Sequence, residues 1–183
     1  MSTLVGRDKT ALLVIDVQNG VVEGAYNLAS VVVNISVAAD KARAAGVPVV
    51  WVQHSDEELE IDSDAWQIVP QLSPEAGEPN VRKTFKSSFE ATNLEEILSG
   101  LNVGHVVITG MQTNNCVRHT THAALERGYD VTLVGDAHST TGYEWGGHKI
   151  DASEVVDETN DNFGGYQLPG RGARVVKTEA LSF

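Results

Sequence analysis

The stretch TGMQTNNCV, residues 109–117, places the only cysteine of the chain, Cys116, between two predicted elements. The β-branched run at residues 106–108 is typical of a buried strand. The next segment, residues 116–127, is rich in helix formers and stops at Gly128, so it predicts a helix. Because helix N-termini carry free N–H donors and partial positive charge, we expect a lowered pKa and a reactive thiolate for Cys116. The alternative is a buried and unreactive cysteine.

Strands and helices alternate along the rest of the chain. Runs of apolar and β-branched residues predict strands at residues 11–15, 47–52, 105–109, 131–134 and 173–176. Residues 81–85 are predicted as a short strand or extended segment. Segments of helix formers that end near glycine predict helices at residues 28–45, 93–99, 116–127 and 152–162. This alternation is the signature of an α/β protein with a mostly parallel open sheet. No linker or internal repeat interrupts it, so we predict a single domain over residues 1–183.

Two loops are candidates for the walls of a binding pocket. Residues 55–79 show no regular pattern, and loops of this length in compact domains are often lids or binding loops. A glycine-rich loop follows at residues 142–148. Their aromatic residues are either pocket walls or packing anchors. The residues that we predict to line a substrate pocket are Gln18, His54, Trp66, Tyr143 and Trp145.

The composition restricts the partners of this chain. A net charge of −12 argues against nucleic acid, because phosphate binding needs a basic face. No stretch approaches the ~20 apolar residues that span a bilayer, which argues against a membrane partner. A single cysteine cannot form an internal disulfide, and the first residues lack the apolar core of a signal peptide. We therefore expect a cytoplasmic protein whose partner is a small molecule.

Three chemically useful side chains come from separate predicted strands or the segments after them: Asp16, Lys83 and Cys116. Ligands of open parallel sheets bind beyond the carboxyl ends of the strands, where we also expect His54 and Asp136. A carboxylate can accept a thiol proton, and a nearby ammonium favours the thiolate. The thiolate can then attack a carbonyl carbon and form a covalent acyl-enzyme. Taken singly, Asp16 is explained by a turn or capping carboxylate, and Lys83 by a solvated surface lysine.

Three motifs in the chain resemble those of one family. They are LVIDVQN at residues 13–19, RK with a following SF at residues 82–83 and 88–89, and the TGMQTNNCV stretch. Together they resemble the isochorismatase-like cysteine hydrolases, a group that includes nicotinamidases and other small-amide hydrolases. The resemblance covers nearly the whole chain, and the motifs stand in the family's order. It implies a three-layer αβα fold with helices on both faces of the sheet, and assembly into a homodimer or larger homo-oligomer.

The resemblance also implies a catalytic site and a reaction. The family's aspartate falls on Asp16, its lysine on Lys83 and its nucleophile on Cys116. Its cis peptide bond would join Met111 to Gln112, and the backbone N–H groups of Gln112 and Cys116 would form an oxyanion hole. The implied activity is hydrolysis of a C–N bond in a small amide through a thioacyl-enzyme, with Asp16 as acid and base. The alternatives are the vinyl-ether hydrolysis of isochorismatases and a non-catalytic binding module on the same scaffold.

The segment around His54 departs from the family's pattern. Nicotinamidases of the family bind a metal through an aspartate two residues before a histidine, but Val52 stands at that position here. We therefore predict no metal and no other cofactor, and we expect His54 to form hydrogen bonds at the pocket edge. His119, His122 and Glu126 share a predicted helix and are a second candidate metal set. We interpret that set as a solvent-facing or subunit-contact stripe.

Overall fold

A seven-stranded sheet forms the centre of the computed structural model, which describes residues 2–183. In chain order the strands are β1 (Lys9–Ile15), β2 (Val49–His54), β3 (Asn80–Lys83), β4 (Val103–Met111), β5 (Asp130–Ser139), β6 (Tyr143–Trp145), β7 (His148–Ile150), β8 (Gln167–Leu168) and β9 (Arg171–Val176). The order in the sheet is β3-β2-β1-β4-β5-β9-β8, with β8 antiparallel to β9 and the other neighbours parallel. This mostly parallel sheet confirms the predicted fold class.

Helices cover both faces of the sheet. They are α1 (Asn19–Val22), α2 (Leu28–Ala44), α3 (Leu94–Gly100), α4 (Arg118–Arg127) and α5 (Ala152–Gly164). A π-helical turn, Thr113–Val117, precedes α4, and a 3₁₀ turn, Thr178–Ala180, lies near the end of the chain. Across residues 2–183, no helix is long and apolar enough to cross a membrane.

The sheet divides the core into two parts, because successive side chains of a strand point to opposite faces. Leu13 and Ile15 of β1 pack with residues of α3, α4 and α5. Leu12 and Val14 of the same strand pack with residues of α2. All four side chains are buried. The result is the three-layer αβα architecture that the resemblance implied.

Every predicted strand and helix has a counterpart in the structure, although their ends differ. Residues 55–79, all of them described, contain no helix or strand, as predicted. The predicted helix at residues 116–127 was wrong at its first two residues, which belong to the π-helical turn Thr113–Val117, whereas α4 begins at Arg118. In that turn the N–H of Val117 reaches back to the carbonyl of Gln112 over 3.3 Å.

The glycine-rich segment at residues 142–148 was wrongly predicted to be a loop. It contains the antiparallel hairpin β6–β7, in which Trp145 pairs with His148. Gly146 and Gly147 form the two-residue turn, with φ values of 58° and 80°. A type I′ hairpin turn needs positive φ at both central positions, which glycine adopts at little cost.

The strand order reverses between β1 and β4, and the candidate site lies at their carboxyl ends. Ile15 of β1 pairs with Gly110 of β4. Gly110 has φ 122°, and a Cβ atom there would lie 2.0 Å from the Ile15 carbonyl oxygen. Glycine is therefore the residue that permits this close approach. It brings Asp16, which follows β1, beside Met111 and the turn after β4.

Candidate active site

Asp16 and Lys83 form a buried ion pair beyond the carboxyl ends of β1 and β3. Lys83 Nζ lies 2.6 Å from Asp16 Oδ2, and both side chains are fully excluded from solvent. Asp16 has φ 51°, an uncommon value outside glycine, and its N–H donates to the carbonyl of Val52 over 2.9 Å. The burial of Lys83 contradicts the alternative of a solvated surface lysine.

Cys116 joins this pair from the π-helical turn. Lys83 Nζ donates a hydrogen bond to Cys116 Sγ over 3.2 Å, and Cys116 is partly exposed. The structure thus brings together the three residues that the sequence singles out. One ammonium contacts both a carboxylate and a thiol. A change of charge on either group therefore changes the electrostatic environment of the other.

The electrostatic environment of the thiol differs from the expectation. Burial raises the pKa of Cys116 to about 12, and the charge of Asp16 adds to this while Lys83 opposes it. Burial also raises the pKa of Asp16, again against the effect of Lys83. The predicted lowering of the Cys116 pKa was wrong, because the thiol lies in a desolvated π-helical turn beside a carboxylate. A raised pKa favours the protonated form of the Cys116 thiol, with the Asp16 carboxyl group as its neighbour.

A buried polar chain supports the turn that carries Cys116. His138 is buried between Thr113 Oγ1, 2.8 Å from its Nδ1, and Asn160 Oδ1, 3.0 Å from its Nε2. Asn160 Nδ2 donates to the carbonyl of Gly135, so its Oδ1 accepts from His138 and Thr113 donates to the other ring nitrogen. Sequence reasoning missed this contact, because residues 113, 138 and 160 are distant in the chain and carry no joint motif.

The peptide bond between Met111 and Gln112 is cis, as the resemblance implied. The Gln112 side chain is held at both ends: Nε2 donates to the carbonyl of Val21 over 2.8 Å, and Oε1 accepts from Thr140 Oγ1 over 2.6 Å. The backbone N–H of Gln112 donates no hydrogen bond to another backbone group among residues 2–183. Its oxyanion role, like that of the Cys116 N–H, stays a prediction.

The structure uses two of the predicted pocket residues in other ways and places a third, His54, at the site. Gln18 is buried, and its amide donates to the carbonyls of His54 and Trp66 and accepts from the N–H of His54. No hydrogen on its amide remains for a ligand, so Gln18 is a structural clamp. The Trp66 ring is buried beneath the Arg82 guanidinium and lines a separate cleft of about 810 Å³. His54 lies at the site, 3.4 Å from Lys83 Nζ.

Other predicted positions lie apart from the Asp16–Lys83–Cys116 group. Tyr143 and Trp145 are exposed on the β6–β7 hairpin, and their place in a pocket stays a prediction. Asp136, expected at the site edge, instead accepts hydrogen bonds from the N–H and hydroxyl of Thr178, because β5 continues to Ser139.

The predicted stripe on α4 is only partly exposed. His122 is half-buried and contacts Phe163 of α5, with ring centroids 4.8 Å apart and the ring planes tilted by 56°. His119 is exposed and lies 2.8 Å from the carbonyl of Asn115. No group of three or more His, Cys, Asp or Glu side chains among residues 2–183 is arranged to hold a metal ion.

Asp56 is a contact of the site that sequence reasoning assigned to a solvated loop. Its Oδ2 lies 3.1 Å from His54 Nε2. The signal in the sequence was its position two residues after His54, at the carboxyl end of a strand.

Fold and site together define a class, namely an α/β protein with an aspartate, a lysine and a cysteine gathered at the switch point of a parallel sheet. The chain belongs to the isochorismatase family of hydrolases, because the family model described as Isochorismatase domain matches residues 10–158. This stretch contains all three side chains of the group.

Individual relatives agree with this membership. An uncharacterized isochorismatase family protein, YrdC of Bacillus subtilis, is 32% identical over 142 residues, which cover 74% of this chain and 76% of the relative. Streptothricin hydrolase of Streptomyces noursei is 34% identical over 140 residues, covering 73% of this chain and 56% of that protein. The crystal structure of N-carbamoylsarcosine amidase from Thermoplasma acidophilum has a TM-score of 0.76 at 27% identity, covering 96% of this chain and 99% of that one.

Proposed function

We propose that this protein hydrolyses a C–N bond of a small amide, with Cys116 as nucleophile and Asp16 as acid and base. The observation that carries the proposal is the convergence of the two groups on Lys83, at 2.6 Å from Asp16 and 3.2 Å from Cys116. A neutral thiol with a buried carboxylate beside it can transfer its proton as the sulfur attacks.

Acylation begins when Cys116 Sγ attacks the carbonyl carbon of the amide and Asp16 accepts the thiol proton. The carbonyl oxygen becomes an oxyanion, which the N–H groups of Gln112 and Cys116 bind. Asp16 then gives the proton to the nitrogen, the C–N bond breaks and ammonia or an amine leaves. A missing oxyanion donor typically raises the barrier by about 2.7–4 kcal/mol.

Deacylation uses the same groups in reverse. Asp16 removes a proton from water, and the resulting hydroxide attacks the thioester carbon. The C–S bond breaks, a carboxylic acid leaves and the Cys116 sulfur recovers the proton from Asp16. Lys83 keeps its charge throughout and stabilises whichever neighbour is negative.

The names of two relatives support a hydrolytic reaction, and one of the two supports an amide as substrate. The names streptothricin hydrolase and N-carbamoylsarcosine amidase both describe hydrolytic enzymes, and the second names an amidase. The first is 34% identical to this chain over 140 residues, and the second has a TM-score of 0.76 at 27% identity. We extend the amidase reaction class, and not a particular substrate, to this protein.

The test is a panel of primary amides, N-carbamoyl compounds and cyclic amides, assayed for released ammonia or amine. We expect turnover of at least one class and its loss in Cys116→Ala, with thermal unfolding of the variant as the control for folding. Undiminished turnover in Cys116→Ala would remove the nucleophile assignment. Cleavage of a vinyl ether alone would favour the isochorismatase reaction, and no turnover of any compound would favour a binding module.

Assembly and location are further proposals. We expect a homodimer or larger homo-oligomer, which sedimentation velocity measures directly, and a cytoplasmic location, which cell fractionation measures. A monomer at micromolar concentration would contradict the first of these.

A further inference from the structure

We propose that His54 and Asp56 position Lys83 for the reaction. Together they also provide a hydrogen-bond acceptor for the Lys83 ammonium at the stage when Asp16 and Cys116 are both neutral. Neither His54 nor Asp56 belongs to the group that carries out the chemistry. The inference rests on the proposed function, because it assigns these two residues a part in that reaction.

One line of hydrogen-bond contacts joins Asp56, His54 and Lys83. His54 ends β2 and pairs in register with Lys83, which ends the neighbouring β3. His54 Nδ1 lies 3.4 Å from Lys83 Nζ, and His54 Nε2 lies 3.1 Å from Asp56 Oδ2. Asp56 Oδ1 accepts hydrogen bonds of 2.9 Å from the N–H groups of Glu58 and Leu59. The backbone of the loop thus fixes the carboxylate, which in turn holds the imidazole toward Lys83.

The partners of His54 fix its tautomer. An ammonium can only donate, so Nδ1 accepts from Lys83 and Nε2 carries the ring proton. Nε2 then donates to Asp56, whose ionised carboxylate can only accept. Asp56 is exposed, His54 is partly buried and Lys83 is buried, so the line of hydrogen bonds runs from the surface into the site.

The charge on the neighbours of Lys83 changes during the proposed reaction. At rest the ammonium contacts Asp16, Cys116, His54 Nδ1 and the carbonyl of Phe85. In the tetrahedral intermediate the negative charge has moved to the oxyanion, the carboxyl holds a proton and the sulfur is bonded to carbon. The imidazole, polarised by a carboxylate behind it, is then the strongest acceptor left. An unpaired buried ammonium is costly, so this acceptor stabilises the intermediate.

The decisive variant is Asp56→Asn. The amide oxygen can keep the hydrogen bonds to the loop backbone, but the NH₂ group then faces His54 Nε2 and donates to it. The ring proton must move to Nδ1, so a donor faces Lys83 in place of an acceptor. Asp62→Asn is the matched control, because Asp62 is an exposed acid of the same loop whose φ of 70° asparagine tolerates.

Two readouts separate this inference from the proposed function. The first is the rate of Cys116 alkylation by iodoacetamide against pH, which needs no substrate. The second is kcat and KM on any amide that the panel identifies. The charged or titratable groups that face His54 are Lys83, Asp16 and Asp56, so each profile is compared with that of the control variant.

For Asp56→Asn we expect slower alkylation with a profile moved to higher pH, and a fall in kcat of roughly tenfold or more with little change in KM. His54→Asn, which places an oxygen near the position of Nδ1, should keep more activity than His54→Leu, which removes the acceptor. If Asp56→Asn does not fold, the activities of His54→Asn and His54→Leu are compared instead, and equal activities would overturn the inference. Alkylation of Asp56→Asn at the rate of Asp62→Asn at every pH would overturn the inference even without an amide substrate. Equal kcat of the two variants on an amide that the panel identifies would also overturn it.

Discussion

The Lys83 ammonium lies 2.6 Å from the Asp16 carboxylate in a part of the molecule from which water is excluded. The same ammonium contacts the Cys116 sulfur, so stability and chemistry depend on one cation. Burial raises the pKa of both Asp16 and Cys116, which favours the protonated thiol. In the mechanism that we propose, the thiol proton therefore passes to Asp16 as the sulfur attacks, and no thiolate is needed beforehand.

The buried ion pair predicts a large loss of stability when its anion is removed. Asp16→Asn leaves Lys83 charged and without its carboxylate, and removal of one member of a buried pair costs about 3–5 kcal/mol. Urea denaturation of the wild type and the variant measures this change. The control is Lys149→Met, in an exposed pair with Asp151, which should leave the free energy of unfolding unchanged. Equal stability of Asp16→Asn and wild type would show that the pair is not a buried charge pair in solution.

The raised pKa of Asp16 predicts an acid limit on activity. Asp16 must be ionised to accept the thiol proton, so kcat/KM should fall as pH drops through a pKa above the ordinary aspartate value of about 3.9. A pH profile of kcat/KM measures the limit, with Asp62→Asn as control. Full activity down to the ordinary aspartate pKa would contradict the assignment.

The buried His138 predicts a loss of stability in mild acid. Burial lowers the pKa of His138 to about 4, below the ordinary histidine value of about 6.5. Between these pH values the unfolded chain binds the proton and the folded chain does not. The free energy of unfolding therefore decreases as the pH is lowered. The loss between pH 7 and pH 5 is roughly 2 kcal/mol.

The measurement for His138 is urea unfolding at both pH values in the wild type and in His138→Gln. The variant should lose less stability than the wild type on going to pH 5. A residual loss is expected in both, because burial also lowers the pKa of His105 to about 4. Parallel losses of the same size would show that His138 does not contribute.

The close contact between β1 and β4 predicts that Gly110→Ala is strongly unfavourable. The added Cβ would meet the Ile15 carbonyl oxygen at 2.0 Å, and φ 122° is strained for alanine. Overpacking of this kind costs about 1–3 kcal/mol or more, and it also displaces Asp16 from the turn of Cys116. Gly100→Ala is the matched control, since no atom lies within 4 Å of its Cβ position. Equal denaturation midpoints for the two variants would contradict this prediction.

The sequence predicted the framework of this site because apolar runs identify buried strands. Asp16 follows β1 directly, and Lys83 ends β3, so both lie at the carboxyl edge of the sheet. The resemblance added the cis peptide bond between Met111 and Gln112, which the conformational propensities of these residues do not predict. Together these indications were enough to find the three converging residues before any contact was known.

What the sequence could not show depends on burial and on contacts between distant residues. The Cys116 pKa moved in the direction opposite to the expectation, because desolvation is a property of the folded surroundings. Gln18 was predicted to face a ligand, but its amide is used by His54 and Trp66. Asp56 was assigned to solvent, because the turn that directs it to His54 is visible only in the folded loop.

The most direct test of the account is mass spectrometry of the enzyme quenched in acid during turnover of an amide from the panel. The account predicts an acyl group on the peptide that contains Cys116, present during steady-state turnover and absent after the substrate is consumed. Turnover at full rate with Cys116 unmodified, or with the acyl group on another residue, would contradict it.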